Sequence, residues 1–387
     1  ELAGIEYLQP WLVRTLYNLF IDAVRRAGRN PLATASSDDT LPELEAVPER
    51  DSEDLLLQQQ LQQALLELNP DQRSLIVLST ALLGALLFVG AARLDADFWE
   101  QHAKDMESWK QDQGRTFYRV RGPLAHTWQP NQFLYDDSER AFEAVVRKIE
   151  EKDSAIIEVV KDYSNARHAV WGINARNREQ NYALNLLMDP EIDFVTLLGH
   201  AGTGKTLLTL AAALTQTLEE KRYVEIIMTR VTVPVGEDIG FLPGTEEEKM
   251  GPWMGALEDN LDVLNPSEHQ ERGAWGRAAT HDLVRSRIRI KSLNFMRGRT
   301  FLKKFIIIDE AQNLTPHQMK TLVTRAGPGS KVVCLGNIAQ IDTPYLTETT
   351  SGLTYVVDRF KGWEHSGHIT LQRGERSRLA DYATEVL

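Results

Sequence analysis

The sequence predicts an α/β fold with a doubly wound, mostly parallel sheet, preceded by a small mixed α/β adaptor and an α-helical amino-terminal segment. Three apolar runs indicate the sheet: Phe194 to Leu198, Phe305 to Ile308, and the strand in SKVVCLGN. Strands buried between two helical layers are apolar throughout, whereas half-exposed strands alternate. A helical pattern from Leu207 to Leu214 follows the first run, as expected for a strand–loop–helix unit.

The chain divides into three predicted regions. Residues 1–80 form a helical segment with a flexible linker at about 30–51, where Pro, Ser, Asp and Glu replace apolar residues. Residues 81–167 form a connector and a small mixed adaptor, and residues 168–387 form the α/β domain. Within the adaptor, DADFWEQHAKDMESWKQ is predicted as polar helix or loop, and TFYRVRGPL, NQFLYD and HAVWGI as short strands.

Charge and cysteine content exclude several classes of protein. The 387 residues carry 43 Lys and Arg against 55 Asp and Glu, a net charge of -12, so a dedicated duplex-DNA binder is excluded and any nucleic-acid contact must be local. The single cysteine, Cys334, excludes a disulfide framework and a multi-cysteine zinc site. With no cationic leader, we expect a cytoplasmic protein.

One uncharged stretch, from Ser74 to Ala92, has about the minimum length of a membrane-spanning helix. It contains Ser, Thr and Gly and has neither an aromatic belt nor a strongly basic flank. A buried helix and strand, or a domain junction, is therefore favoured over membrane contact, although residues 74–92 leave both interpretations open.

The strongest motif is GHAGTGKT, which follows the first strand and opens a helix. It has the G-x-x-x-x-G-K-[ST] spacing of a phosphate-binding loop, whose glycines let backbone amides face phosphate oxygens. The lysine then bridges the β- and γ-phosphates, and the hydroxyl of the last residue takes one Mg²⁺ position. The predicted loop comprises Gly199, His200, Ala201, Gly202, Thr203, Gly204, Lys205 and Thr206.

Polar residues follow the other two apolar strands. Asp309 is expected to hold Mg²⁺ and Glu310 to deprotonate an attacking water, which favours hydrolysis over kinase transfer. Gln340 is placed at the same carboxyl edge, where it would sense the γ-phosphate or the water.

Further candidates lie outside these strands. Gln180 and Tyr182 precede the first strand, where an amide could read adenine and a ring could stack on it, or they simply begin a polar helix. Near the end of the chain, Arg373 or Arg376 is a candidate arginine finger, supplied in cis or by a neighbouring subunit, with a solvated turn as the alternative.

Three basic segments are candidates for RNA contact. Thr229 and Arg230 follow a predicted strand and could hold a phosphate of a single strand. For the other two segments, an ordinary strand surface is the competing interpretation. They are Phe117, Tyr118, Arg119 and Arg121 in the adaptor, and Arg285, Arg287, Arg289 and Lys291 on one predicted strand face.

From about residue 97 onward, the chain resembles the PhoH family of P-loop ATPases, which is similar to the core of superfamily 1 helicases. The resemblance implies a RecA-like P-loop NTPase fold, ATP and Mg²⁺ as cofactors, hydrolysis, RNA helicase or remodelling activity, and homo-oligomers such as a hexameric ring. It also implies that Gln340 couples hydrolysis to motion. The motifs that carry it are RNREQNYALNLL, GHAGTGKT, TRVTVPVGEDIGFLPGTEEEKM, FIIIDEAQNLTPHQMK, TRAGPGSKVVCLGN, QID and LQRGERS.

Two departures from that family affect the predicted function. The long family branch carries a PIN nuclease, and FWEQHAKDMESWKQ resembles the connector after it. A helical segment without a carboxylate cluster stands in its place, so RNA cleavage is not expected. That segment resembles part of an extracytoplasmic-function sigma factor, from Trp11 to Arg26 and in LNPDQRSLIVL, but no helix-turn-helix follows Leu78.

RNA remodelling driven by ATP hydrolysis is therefore the first functional hypothesis. The second is a transcription-associated binding module, with RNA polymerase as partner of the sigma-like segment. The third is a nucleotide switch that turns over ATP without separating strands.

Overall fold

A computed structural model describes much of the chain beyond residue 87. Every described residue belongs to the second of two compact units, residues 70–387, while residues 1–69 lie wholly outside the description. The predicted sigma-like helices, the linker at 30–51 and most of the Ser74 to Ala92 stretch therefore fall outside it. The described ranges are 88–94, 98–101, 106–112, 114–122, 125, 127–136, 142–150, 154–230, 260–261, 263–264, 284, 286–291, 299–343 and 346–374.

The first sheet has six strands in the order β1-β4-β5-β6-β3-β2. Only β1 and β4 pair in parallel. A helical turn, α1 (Phe98–Gln101), packs Phe98 against Trp128 on one face of this sheet. The strands are β1 (Ala91–Arg93), β2 (Met106–Asp112), β3 (Arg115–Arg121), β4 (Phe133–Tyr135), β5 (Glu143–Glu150) and β6 (Ser154–Val159).

Some of the sequence predictions for this region are confirmed and others are wrong. TFYRVRGPL and NQFLYD contain β3 and β4, as predicted. The helix or loop predicted for MESWKQ is wrong, because these residues lie in β2, which pairs with β3 in antiparallel orientation. HAVWGI is wrong as a strand: Val170 and Ile173 form an isolated bridge that closes a turn through Trp171 and Gly172, both with positive φ.

The second sheet is entirely parallel, with the order β12-β7-β11-β10-β8-β9. One strand, β11, separates β7 from β10, so the ends of β7 and β10 share the carboxyl edge without being neighbours. The strands are β7 (Phe194–Gly199), β8 (Glu225–Arg230), β9 (Ile288–Ile290), β10 (Lys304–Asp309), β11 (Lys331–Gly336) and β12 (Ser366–Leu371).

Helices cover both faces of this sheet, and alternate strand residues face alternate layers. Val195 and Leu197 of β7 pack in one core with α2 (Arg178–Met188) and α3 (Lys205–Leu214). Their neighbours Phe194 and Leu198 pack in a second core with α4 (Pro316–Val323) and α5 (Gly352–Phe360). The doubly wound α/β fold predicted from the apolar runs is confirmed.

The two sheets are joined through α2. Phe133 of the first sheet stacks on Tyr182 of α2 with ring centroids 4.2 Å apart. Asn131 donates from Nδ2 to the carbonyl of Ser366 at 2.8 Å, at the start of β12. Apolar stacking and directional hydrogen bonds thus orient the first sheet on the second.

Within the described part of the chain, no helix combines the length and apolar character needed to cross a bilayer. The last residues of the Ser74 to Ala92 stretch, Ala91 and Ala92, are in β1.

Candidate nucleotide-binding site

The loop between β7 and α3 has the backbone shape that phosphate binding requires. Gly202 and Gly204 have φ of 81° and 91°, the left-handed region that favours glycine. Gly204 is the residue before α3 and carries no side chain that could cap the helix. The first amides of α3 are therefore left to face a ligand at the positive end of the helix.

Other loop residues hold this shape. Thr203 is buried and donates from Oγ1 to the carbonyl of His200 at 2.9 Å. His200 and Ala201 form the exposed crest of the loop. Gly199 is crowded, because a Cβ at this position would lie 2.4 Å from the carbonyl oxygen of Leu371 on β12.

Lys205, the first residue of α3, folds its side chain over the loop. Its Nζ donates to the carbonyls of Gly199 at 2.6 Å and His200 at 2.8 Å. Thr206 follows it, half-buried in the first turn of α3. The ammonium thus lies against the loop backbone, and Thr206 is the second residue of the helix that the loop opens.

The predicted carboxylates lie at the end of β10. Asp309 is its last residue, and Glu310 follows in a left-handed conformation with φ of 53°. Burial, followed by the negative charge of Glu310, raises the pKa of Asp309, while the charges of Arg230 and Lys205 lower it in part. Because β7 and β10 end at the same carboxyl edge with one strand between them, the loop and the carboxylates lie on the same side of the sheet.

The structure adds a network that the sequence analysis did not predict, centred on the buried side chain of Gln312. Gln312 Nε2 donates to Glu310 Oε2 at 2.6 Å and to the carbonyl of Gln340 at 2.8 Å. Its Oε1 accepts from the backbone N–H of Asn337 at 3.1 Å. Gln312 therefore joins the carboxylate at the end of β10 to the turn after β11, where Gln340 lies exposed.

Residues 172–385 match the family described as PhoH-like protein, which is more than half of the chain. The chain belongs to the PhoH-like protein family. The RecA-like P-loop fold expected of such a domain agrees with the observed parallel sheet, in which one strand separates the loop strand β7 from the carboxylate strand β10.

Curated relatives carry the same family name. Protein PhoH2 of Bacillus subtilis (strain 168) is 43% identical over 276 residues, covering 71% of this chain and 60% of that protein. PhoH2 of Mycolicibacterium smegmatis is 38% identical over 220 residues, covering 56% and 48%. A PhoH-like protein of Mycobacterium tuberculosis (H37Rv) is 43% identical over 162 residues, 42% of each chain. This chain thus spans about two-fifths to three-fifths of their lengths.

Among solved structures, the Pif1 helicase from Candida albicans is similar with a TM-score of 0.29 and 16% identity, covering 55% of this chain and 43% of that one.

In the PhoH-like domain, Gln180 and Tyr182 do not present the predicted adenine-facing pair. The ring of Tyr182 is fully buried and stacks on Phe133, so it is part of the core and offers no face to a base. Gln180 lies beside the loop instead: its Nε2 donates to the carbonyl of Thr203 at 3.1 Å, and its Oε1 accepts from the N–H of Arg176 at 2.9 Å. Its observed contacts support the loop, and contact with adenine stays a prediction.

The predicted arginine-finger region is only partly described. Arg373 follows β12 at the carboxyl edge, and its backbone N–H donates to Glu179 Oε2 at 3.2 Å. Arg376 lies outside the described residues. A finger role for either arginine stays a prediction.

Arginines of the two other basic segments form ion pairs with acidic residues of neighbouring strands. Arg119 pairs with Glu150 at 3.0 Å, and Arg289 pairs with Glu225 at 3.2 Å. The strand predicted around Arg285 to Lys291 is reduced to the edge strand β9, so Arg287 precedes it and Arg285 is not described. These contacts favour the strand-surface interpretation for both segments.

The residues present fit a magnesium nucleoside triphosphate. The loop amides and Lys205 suit phosphate oxygens, while the hydroxyl of Thr206 and the carboxylate of Asp309 are hard oxygen ligands of the kind that Mg²⁺ prefers. Asp309 is half-buried and lies beside Glu310, so a bound cation would neutralise the negative charge of this acidic pair.

Proposed function

We propose that this PhoH-like domain hydrolyses ATP and uses the hydrolysis to remodel single-stranded RNA. The observation that carries the proposal is the position of the glycine-rich loop after β7 and of the paired carboxylates after β10 at the same carboxyl edge, with β11 between the two strands. A P-loop NTPase needs both parts to bind a triphosphate and to direct water onto it.

Binding begins with the loop. Lys205 Nζ donates to two backbone carbonyls, and its ammonium can exchange these for the more negative β- and γ-phosphates. Thr206 and Asp309 would hold Mg²⁺, which when bound neutralises charge that develops on the phosphates. The amides of the first turn of α3 complete the cradle.

Hydrolysis then requires a base at the end of β10. An attacking water forms a bond to the γ-phosphorus, the bond from that phosphorus to the bridging oxygen breaks, and ADP leaves with the electron pair. Glu310 accepts the proton of the water. Its fixed backbone conformation and its hydrogen bond to Gln312 orient the carboxylate toward this task.

Support for RNA as the partner is local and electrostatic. Arg230 ends β8, next to β10, so an RNA strand bound at this edge would lie beside the carboxylates. Thr229 is fully buried, so the phosphate contact predicted for it is wrong and Arg230 remains the candidate contact. With a net charge of -12, the whole chain lacks a general affinity for polyanions, and the contact must come from such local basic groups.

The proposal is tested by phosphate release from the full chain, with and without oligouridylate. Lys205→Ala should lower the rate at least about 100-fold and weaken binding of a fluorescent ATP analogue. The matched control is Lys320→Ala on the exposed face of α4, which should behave as wild type. Unchanged hydrolysis in Lys205→Ala would defeat the assignment. ATP turnover that RNA fails to stimulate would leave a nucleotide switch as the better description.

A further inference from the structure

Arg230 and Glu310 form an ion pair at the carboxyl edge of the sheet. Strands β8 and β10 are parallel neighbours, and their register sets Arg230 directly beside Asp309. From this position Arg230 Nη2 donates to Glu310 Oε1 at 3.2 Å, while its Nε lies 3.9 Å from Asp309 Oδ2. The guanidinium is thus held by the two carboxylates assigned to metal binding and proton transfer.

Both oxygens of Glu310 have a donor in this arrangement. Oε1 accepts from Arg230, and Oε2 accepts from Gln312 Nε2 at 2.6 Å. Each oxygen can accept a second hydrogen bond, but the guanidinium holds Oε1 toward β8 and occupies one of the acceptor positions at which that oxygen could take a proton from water. Release of one donor would therefore give an attacking water fuller access to Glu310.

The two donors differ in how freely they can move. Gln312 is fully buried and also binds the backbone of Gln340 and Asn337, so its amide is fixed from three directions. The side chain of Arg230 is 33% exposed and lies on a long flexible stem. Loss of Arg230 would free Oε1 while Gln312 still holds Oε2 and keeps the carboxylate oriented.

A phosphate can compete with the carboxylates of Glu310 and Asp309 for the guanidinium of Arg230. Arginine binds phosphate through paired, charge-assisted hydrogen bonds, and both members of the Arg230–Glu310 pair are about one-third exposed, so a phosphate can reach the guanidinium. We propose that Arg230 is a positioning residue that restrains Glu310. When single-stranded RNA binds, one of its phosphates would form hydrogen bonds with the guanidinium of Arg230 and so release Glu310. This inference rests on the proposed function and adds the step by which RNA would stimulate it.

The first test measures RNA binding without any nucleotide, by fluorescence anisotropy with a labelled oligouridylate. Arg230→Ala should weaken binding about tenfold, because it removes a charged phosphate contact. Glu310→Gln should strengthen it about 2- to 5-fold, because it removes the competitor for Arg230. When Arg230 is already alanine, adding Glu310→Gln should leave the RNA affinity unchanged. An equal gain from Glu310→Gln in both backgrounds would reveal general electrostatics and overturn the inference.

The second test measures turnover. Without RNA, Arg230→Ala and the uncharged Arg230→Gln should raise kcat several-fold with an unchanged KM for ATP, and RNA should stimulate them little. The control is Arg222→Ala, which lies before the opposite end of β8 and pairs with Glu220. A fall in kcat without RNA would overturn the inference, because Arg230 would then assist the reaction. If the wild-type chain hydrolyses no ATP, the proposed function fails, whereas the binding cycle still decides whether RNA and Glu310 compete.

Discussion

Arg147 of β5 contacts Asp189, the residue after α2, through Nη2 at 2.7 Å, and so joins the first sheet to the nucleotide-binding domain. The same guanidinium binds Glu158 Oε2 at 2.6 Å, and both carboxylate side chains are more than 90% buried. Charges that are buried together are stable only while they remain paired.

Arg147→Ala should therefore destabilise the fold by about 3 kcal/mol, because two buried carboxylates would lose a cationic partner that they now share with Arg115. Urea denaturation measures this loss. In Arg121→Ala, which breaks the exposed pair with Glu107, the change should stay within about 0.5 kcal/mol. Equal effects in the two variants would show that burial does not set the strength of the first pair.

His368 of β12 should make stability depend on acidity. It is buried beside Thr196, and burial lowers its pKa to about 4 in the folded chain, below the ordinary value of 6.5. The unfolded chain binds more protons between these values, so stability falls as the pH falls through this window. We expect about 2 kcal/mol to be lost between about pH 7 and pH 5.

The measurement is urea denaturation at both pH values for wild type and His368→Gln. The variant should lack this part of the pH dependence, whereas His365→Gln, at a half-buried position before β12, should retain it. If both variants follow the wild-type profile, His368 is not the group responsible.

Gly199→Ala should disrupt the end of β7. Its φ of 147° disfavours a side chain, and the added Cβ would meet the carbonyl oxygen of Leu371 at 2.4 Å. We expect a loss of about 3 kcal/mol together with weaker binding of ATP analogues. Gly172→Ala separates the effect of backbone conformation from that of steric clash, because Gly172 has φ of 78° but open space around it. This variant should lose about 1 kcal/mol of stability without a change in nucleotide binding.

Gln312→Met should lower kcat about 10- to 100-fold with little change in ATP affinity. Methionine has a similar volume, but it cannot donate to Glu310 or to the carbonyl of Gln340, so the base loses its orientation. Rapid-quench turnover and analogue binding are the measurements. Gln318→Met, which removes part of the cap of α4 at Thr315, should reduce stability and leave kcat intact. A drop in affinity equal to the drop in kcat would argue against an orienting role for Gln312.

The sequence predicted the loop from Gly199 to Thr206 and the carboxylates Asp309 and Glu310 because each is a local signal. A buried strand is apolar along its whole length, and a phosphate-binding loop needs glycine, lysine and hydroxyl at set spacings. The sequence could not predict that Tyr182 is a core residue. Phe133 covers its ring, and Phe133 comes from a different sheet.

Residue type and spacing by themselves determined the α/β class, the phosphate-binding loop and the acidic pair, because these depend on backbone conformation and chemistry within a few positions. Tertiary structure alone decided that Arg230 pairs with Glu310 and that Gln312 joins two turns, since strand order and register bring together groups 80 and 28 positions apart in the chain. Side-chain contacts across a sheet follow from which strands are neighbours, and no local pattern in one strand specifies its neighbour.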